Sequence, residues 1–188
     1  MAHNQTETEI KLAVPDLKSA RRKLRLAGFT IARRRVFENN IVFDTPELAL
    51  RGSSKLLRLR QVGRESLVTF KGPPTPGRHK SREELELSVA NAATIGTIFE
   101  RLGFRPTFRY EKYRTEYRQP RGGGMATLDE TPVGLYVELE GSPAWIDRTA
   151  SRMGFAESDY ILASYGRLYL DWCKQNGVDP SNMVFAGE

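Results

Sequence analysis

Charged residues alternate with apolar ones at period two in segment after segment, which puts all the charges of a segment on one face of an extended chain. In Glu7-Thr8-Glu9-Ile10-Lys11-Leu12 that face is Glu7, Glu9 and Lys11. Arg58 and Arg60 share it in Leu57-Arg58-Leu59-Arg60, and Lys71 falls on it in Leu67-Val68-Thr69-Phe70-Lys71. Arg82, Glu84 and Glu86 stand together, opposite Leu85 and Leu87. Lys112, Arg114, Glu116 and Arg118 align between Tyr110 and Arg118, as do Glu138 and Glu140 in Val137-Glu138-Leu139-Glu140. A half-exposed sheet gives the same alternation with its charges in water. Such a face, however, mixes Thr, Ser, Gln and Lys, whereas these positions are nearly all Glu, Arg or Lys, with the acids in same-face pairs.

The Leu, Val, Ile and Phe of the opposite faces offer the apolar surface that helices need. The arrangement that satisfies both is α+β: a closed antiparallel β-barrel whose interior is a polar tunnel and whose exterior carries the core beneath packed helices. Pro15 opens a helix with Leu17, Ala20, Leu24 and Ala27 on one face, and Gly28 closes it. A second helix is expected from about Asn91 to Leu102, with Ile95, Ile98, Phe99 and Leu102 as its stripe. Two more are expected near Ala144 to Met153 and Asp159 to Cys173. Gly72-Pro73-Pro74-Thr75-Pro76-Gly77 and Gly122-Gly123-Gly124 read as turns. Three times a Glu-x-Glu strand leads into a helix ending in Gly-Phe, at Gly28-Phe29, Gly103-Phe104 and Gly154-Phe155. The unequal gaps mark reuse of a strand-helix unit rather than a solenoid. At 188 residues the chain reads as a single domain over 1–188, with a C-terminal helix and tail from about residue 159.

Cys173 is the only cysteine and His3 and His79 the only histidines, so a metal, if held, is held by oxygen. No apolar run reaches the length of a membrane span and Met1 to Gln5 lacks a leader pattern, so the expected protein is cytoplasmic and without a membrane partner. A net charge of +6 invites an anionic partner, but a simply basic surface gives the same number, so the charge alone does not decide and its place in the strand pattern does. Lysines and arginines converging in a tunnel repel unless a multiply charged anion sits among them, and paired carboxylates repel unless a hard cation bridges them. A polyphosphate with Mg²⁺ or Mn²⁺ meets both conditions. The plain alternative is an internal salt-bridge lattice with no ligand, which desolvates many charges for little stability.

Glu7-Thr8-Glu9-Ile10-Lys11 resembles the Glu-x-Glu-x-Lys signature of the CYTH family, the triphosphate tunnel metalloenzymes. The similarity continues in order through Phe43-Asp44-Thr45-Pro46, Leu57-Arg58-Leu59-Arg60, Thr69-Phe70-Lys71-Gly72-Pro73 and Arg82-Glu83-Glu84-Leu85-Glu86. It then runs through Tyr110-Glu111-Lys112-Tyr113-Arg114, Asp129-Glu130-Thr131-Pro132, Val137-Glu138-Leu139-Glu140-Gly141 and Ser164-Tyr165. The resemblance implies an eight-stranded antiparallel tunnel. It also implies an enzyme, either a metal-dependent hydrolase of inorganic, thiamine or nucleoside triphosphate, or a class IV adenylate cyclase.

By the same resemblance Glu7, Glu9, Asp129, Glu138 and Glu140 are metal-binding acids. Lys11, Arg58, Arg60, Lys71, Lys112 and Arg114 are phosphate clamps, the arginines suited to bidentate contacts and the lysines to point-charge neutralisation. Glu84 and Glu86 form a third, catalytic pair that Arg82 orients. In a hydrolase, water attacks the terminal phosphorus while the bases stabilise the departing phosphate. In a cyclase, the ribose 3′-hydroxyl attacks the α-phosphate and pyrophosphate leaves. Tyr110, Tyr113 and Tyr117 read as core or rim aromatics, and Tyr160, Tyr165, Leu168 and Trp172 as helix packing, although the resemblance places Ser164-Tyr165 near the tunnel mouth. His79 reads as solvated in a hairpin loop, and Cys173 as a bystander. A nucleic-acid-binding barrel would need an outward basic stripe with aromatics, whereas here bases share faces with acids. A catalytically dead polyphosphate binder would lack acids that this chain keeps. Whether the protein forms a homodimer is left open.

Overall fold

The computed structural model describes residues 5–120 and 122–186; the expected absence of a leader, and His3, fall largely outside the described residues. In chain order the strands are β1 (Gln5–Val14), β2 (Thr30–Asp44), β3 (Leu56–Val62), β4 (Glu65–Lys71), β5 (Lys80–Val89), β6 (Arg105–Arg118), β7 (Gly124–Thr131) and β8 (Gly134–Gly141). They close into one antiparallel barrel in the order β1-β5-β4-β3-β2-β6-β7-β8. This is the expected architecture, and closure leaves no open sheet edge along the main ladder.

Register determines which charges meet. On β1, Glu7 stands opposite Arg82 and Glu9 opposite Lys80 of β5, while on the other side Glu9 faces Glu140 and Lys11 faces Glu138 of β8. Directly opposed residues point to the same face, so these groups share the interior. β2 and β7 carry no charge alternation and are not legible as strands by that rhythm. In β2 the run Arg33-Arg34-Arg35 coincides with register shifts between Ile31 and Val36, which break the period of two.

The exterior is covered unequally. Helices α1 (Leu17–Leu26) and α4 (Pro143–Arg152) lie over β1, β7 and β8. There Ile10, Leu12, Leu24, Leu128, Val137, Leu139 and Ile146 are fully buried, each contributing about 1.5–3 kcal/mol of apolar burial. Asp16 caps α1 by accepting from the Ser19 amide at 2.7 Å. The glycine turn before β7 is tied to this core, because a Cβ at Gly124 would lie 2.6 Å from the Trp145 ring. On the other side α3 (Ala92–Arg101) buries none of its residues completely. Of its expected stripe, Ile98 and Leu102 remain 45% and 68% exposed. A short α2 (Ala49–Gly52), not foreseen, follows β2. Asp44 holds it, Oδ1 accepting from the Leu50 amide and Oδ2 from the Arg51 amide at 2.8 and 2.9 Å.

The last helix differs from expectation in where it begins. After a 3₁₀ turn at Glu157–Asp159 the chain stays extended, and α5 (Tyr165–Asn176) starts only after Ser164, whose side chain caps it. The reason is tertiary. β5 begins opposite Glu9, which leaves the edge of β1 at Lys11 without a strand partner, and Ile161 fills it through two backbone hydrogen bonds of 2.9 Å. β7 likewise pairs with β6 only from Tyr113 onward, and Met183 serves the Arg109–Glu111 edge in the same way. Between these two staples α5 covers one end of the barrel, burying Tyr165, Tyr169 and Cys173 against Tyr110 and Tyr136. Among the described residues no helix is long and apolar enough to cross a membrane.

Candidate active site

The barrel interior encloses a cavity of about 790 Å³ that runs from Ser164 and Tyr165 at the covered end to Thr6, Arg33, Glu116 and Met125 at the other. All six expected clamps line it, as do Arg82, Glu84, Glu86, Glu7, Glu9, Glu138 and Glu140. Asp129 lies just behind this wall, fully buried on β7.

The bases do not stand apart repelling one another; they are threaded among carboxylates. Lys11 Nζ lies 3.3 Å from Glu9 Oε1 and 3.2 Å from Glu138 Oε1. Lys71 bridges Glu7 and Glu84, the latter at 3.0 Å. Arg114 chelates Asp129 at 2.7 and 2.6 Å and also contacts Glu138. The chain by itself thus forms an internal salt-bridge lattice, and this lattice takes up much of the expected repulsion.

Asp129 is the clearest case of a carboxylate already engaged. Besides Arg114 it accepts from Lys112 Nζ at 2.7 Å and from the Tyr165 hydroxyl at 2.7 Å. Lys11 and Lys112 in turn lie over the Tyr165 ring at 5.3 and 4.9 Å, close enough for cation–π attraction. Tyr165, expected as helix packing, is thus a polar plug at the covered end. Burial, reinforced by Asp129 and Glu138, keeps its hydroxyl protonated far above the usual range.

Around the third acidic pair, Arg82 shares the strand face but other groups make the contacts. Arg58 Nη2 lies 3.9 Å from Glu84 and 3.7 Å from Glu86, Lys71 holds Glu84, and the Thr69 hydroxyl donates to Glu86 at 2.9 Å. Arg60 is aimed by Asn40, whose Oδ1 accepts from its Nε at 2.9 Å.

Glu38, Lys80 and Tyr110 are among the cavity residues not expected there from the sequence. Glu38, on β2, lies 3.5, 3.6 and 4.0 Å from Arg60, Lys112 and Arg114. Burial opposes its charge, but Lys112, Arg114, Arg60 and Arg58 outweigh that and bring its pKa down to about 2. Lys80 stands two residues before Arg82 on the same face, a position that the period of two makes legible. Burial, with Lys11 and Arg82 nearby, lowers its ammonium to about 8 despite its partner Glu9. Tyr110 is interior rather than rim: its hydroxyl accepts from Arg58 at 3.2 Å, and although burial acts the other way, Arg58, Arg60 and Lys112 lower it to about 8. His79, expected in solvent, is buried outside the tunnel. Its Nε2 meets Asp147 Oδ1 at 2.7 Å, and this oxygen also accepts from the Tyr160 hydroxyl.

The acids near the middle carry the mark of a cation site. Burial pushes Glu7 up to about 7, and Glu9 and a hydrogen bond to Glu84 add to this against the pull of Lys71. Glu140 is raised by burial and then by Glu84, Glu138 and Glu9. Glu7 and Glu140, two buried carboxyls raised among neighbouring carboxylates, are groups whose charge a hard divalent ion would neutralise. Glu9 and Glu138 remain far below the usual range because, against burial, Lys11 and neighbouring bases hold their charge. As they stand, turned onto these bases, no three described acids form a ready-made cage.

The CYTH domain family model matches residues 5–149. A Methanocaldococcus jannaschii protein named "Putative adenylate cyclase MJ0240" is 30% identical over 137 residues, covering 72% of this chain and 77% of that protein. Among solved structures, a putative adenylate cyclase from Vibrio parahaemolyticus aligns at 19% identity with a TM-score of 0.76, covering 88% of this chain and 98% of its own. HpAC1 from Hippeastrum, described as a putative adenylyl cyclase with a dominant triphosphatase activity, aligns at 20% identity with a TM-score of 0.63. That alignment covers 93% and 97% of the two chains.

Proposed function

The chain belongs to the CYTH domain family, and from that premise we propose that it is a divalent-metal-dependent phosphohydrolase that cleaves a triphosphate held inside the barrel. Members of the family are adenylate cyclases or triphosphatases, so the protein is an enzyme of this group. The observation that carries the triphosphate reading is the convergence of Lys11, Arg58, Arg60, Lys71, Lys112 and Arg114 on one cavity also lined by three acidic pairs, and hydrolysis is preferred over cyclisation because it demands less specific recognition of the rest of the substrate. A compact polyanion can reach all six bases there.

Glu7, Glu9, Glu138 and Glu140 would hold the metal, which supplies charge neutralisation across the phosphate oxygens when bound. Asp129 is better placed to fix Lys112, Arg114 and Tyr165 than to join the ligands, since all of these already converge on it. Arg58, Arg60 and Arg114 fork onto phosphate oxygens; Lys11, Lys71 and Lys112 add point charge where negative charge develops on the leaving phosphate. Glu84 and Glu86 lie outside the proposed metal set and line the cavity, so one of the pair would take the proton of the attacking water. Tyr110 and Tyr165 are committed to Arg58 and Asp129, which leaves charged groups to recognise the substrate.

A second reading, adenylate cyclase, is favoured by the name of the M. jannaschii relative. The test is product analysis after incubation with tripolyphosphate, thiamine triphosphate and ATP, with Mg²⁺ and with Mn²⁺. Orthophosphate release that stops in excess chelator is expected; cyclic AMP and pyrophosphate from ATP would overturn the hydrolase in favour of the cyclase.

A further inference from the structure

Glu9 carries more positive charge than it needs. Its Oε1 lies 3.3 Å from Lys11 Nζ and 3.2 Å from Lys80 Nζ, so two ammonium groups crowd one carboxylate oxygen. The two lysines are not equivalent. Lys11 is shared with Glu138 at 3.2 Å, lies over the Tyr165 ring, and has its backbone pinned by Ile161. Lys80 has Glu9 as its one ion-pair partner among the described residues. It is 9% exposed and lines the tunnel cavity, at the start of β5.

A divalent cation on Glu9 cannot share that oxygen with two ammonium groups, because like charges a few ångströms apart in a buried site repel strongly. One lysine has to leave, and the one without a second anchor is Lys80. Its long flexible stem lets the ammonium move while the strand stays in place. The cavity is the space open to it, and the group there that attracts it is the triphosphate. We propose that Lys80 is a transferable cation: it neutralises Glu9 while the metal site is empty and becomes a phosphate ligand once metal takes Glu9. The role rests on the metal-dependent triphosphatase reading, and it makes metal and triphosphate binding mutually reinforcing through a residue of the chain itself.

The experiment is calorimetry on the full chain, wild type against Lys80→Met and Lys80→Arg. Mn²⁺ is titrated alone, and bis-imidotriphosphate, whose P–N–P links resist hydrolysis, is then titrated in saturating Mn²⁺. For Lys80→Met the two affinities are expected to move in opposite directions, Mn²⁺ binding about fivefold or more tighter and the analogue about fivefold or more weaker. Lys80→Arg, which keeps the charge, should recover most of the analogue affinity. Losses in both affinities would mean that Lys80 is merely structural, and no change in either would mean that it does not participate; both results overturn the inference. Failure of the wild type to bind Mn²⁺ or the analogue would instead overturn the functional reading on which it rests.

Discussion

At the scale of single residues, Glu38 shows how an interior charge can matter without touching the chemistry. No hydrogen-bond donor among the described residues reaches its Oε2, and the surrounding guanidinium and ammonium groups act on it through Coulomb attraction. Replacing it by Gln strands part of the positive charge of Arg60, Lys112 and Arg114 in a buried site. The sign follows from its depressed pKa. Folding favours the ionised form, so its contribution is present above the ordinary carboxyl value of 4.5 and is lost as pH falls towards about 2. Glu38→Gln should therefore cost about 3 kcal/mol near neutral pH, since each tenfold change in an ionisation equilibrium is worth about 1.4 kcal/mol. The gap between variant and wild type should close between about pH 4.5 and pH 2, as chemical denaturation across that range would show. A gap independent of pH would mean that the loss is steric.

At the scale of elements, the strands legible in the sequence are those whose inner faces are charged at every second residue, as in β1 and β5. β7 is hidden because its buried inner positions include Thr127 beside Asp129, which give no charge rhythm. β2 is hidden because bulges interrupt its period. The site is legible to the same extent: residues on rhythmic strands can be found, whereas Glu38 and the plugging role of Tyr165 depend on elements whose placement is tertiary. The segment before α5 belongs to that second class, since local sequence does not announce that Ile161 will pair with Lys11. Ile161→Pro removes the amide that donates to the Lys11 carbonyl at 2.9 Å. It should destabilise the fold by about 1–3 kcal/mol and weaken triphosphate binding by displacing Lys11. Ile161→Ala keeps the amide and serves as the control for lost side-chain packing. Equal melting temperatures and equal triphosphate affinities for the two variants would show that the backbone bridge contributes nothing.

At the scale of the whole molecule, the charge is divided between two environments. The cavity is lined by nine Lys or Arg and eight Glu, so it is nearly balanced, and the net charge of +6 lies almost wholly elsewhere. An anion entering the tunnel alone must displace carboxylates from their bases, and a metal entering alone must displace bases from their carboxylates. Together they exchange partners, the metal taking acids and the phosphates taking the bases so released. Tripolyphosphate with Mg²⁺ should therefore raise the melting temperature by more than the two separate shifts combined. At a hundredfold excess over the dissociation constant the stabilisation is about 2.7 kcal/mol. For a chain of this size that corresponds to roughly 5–10 °C. Single-stranded RNA at equal phosphate concentration meets only the exterior charge, so its shift should be small and should vanish as salt rises. Thermal melts with each ligand, with and without Mg²⁺, separate the two cases. A larger shift with RNA than with tripolyphosphate and Mg²⁺ would place the working anion site on the outer surface.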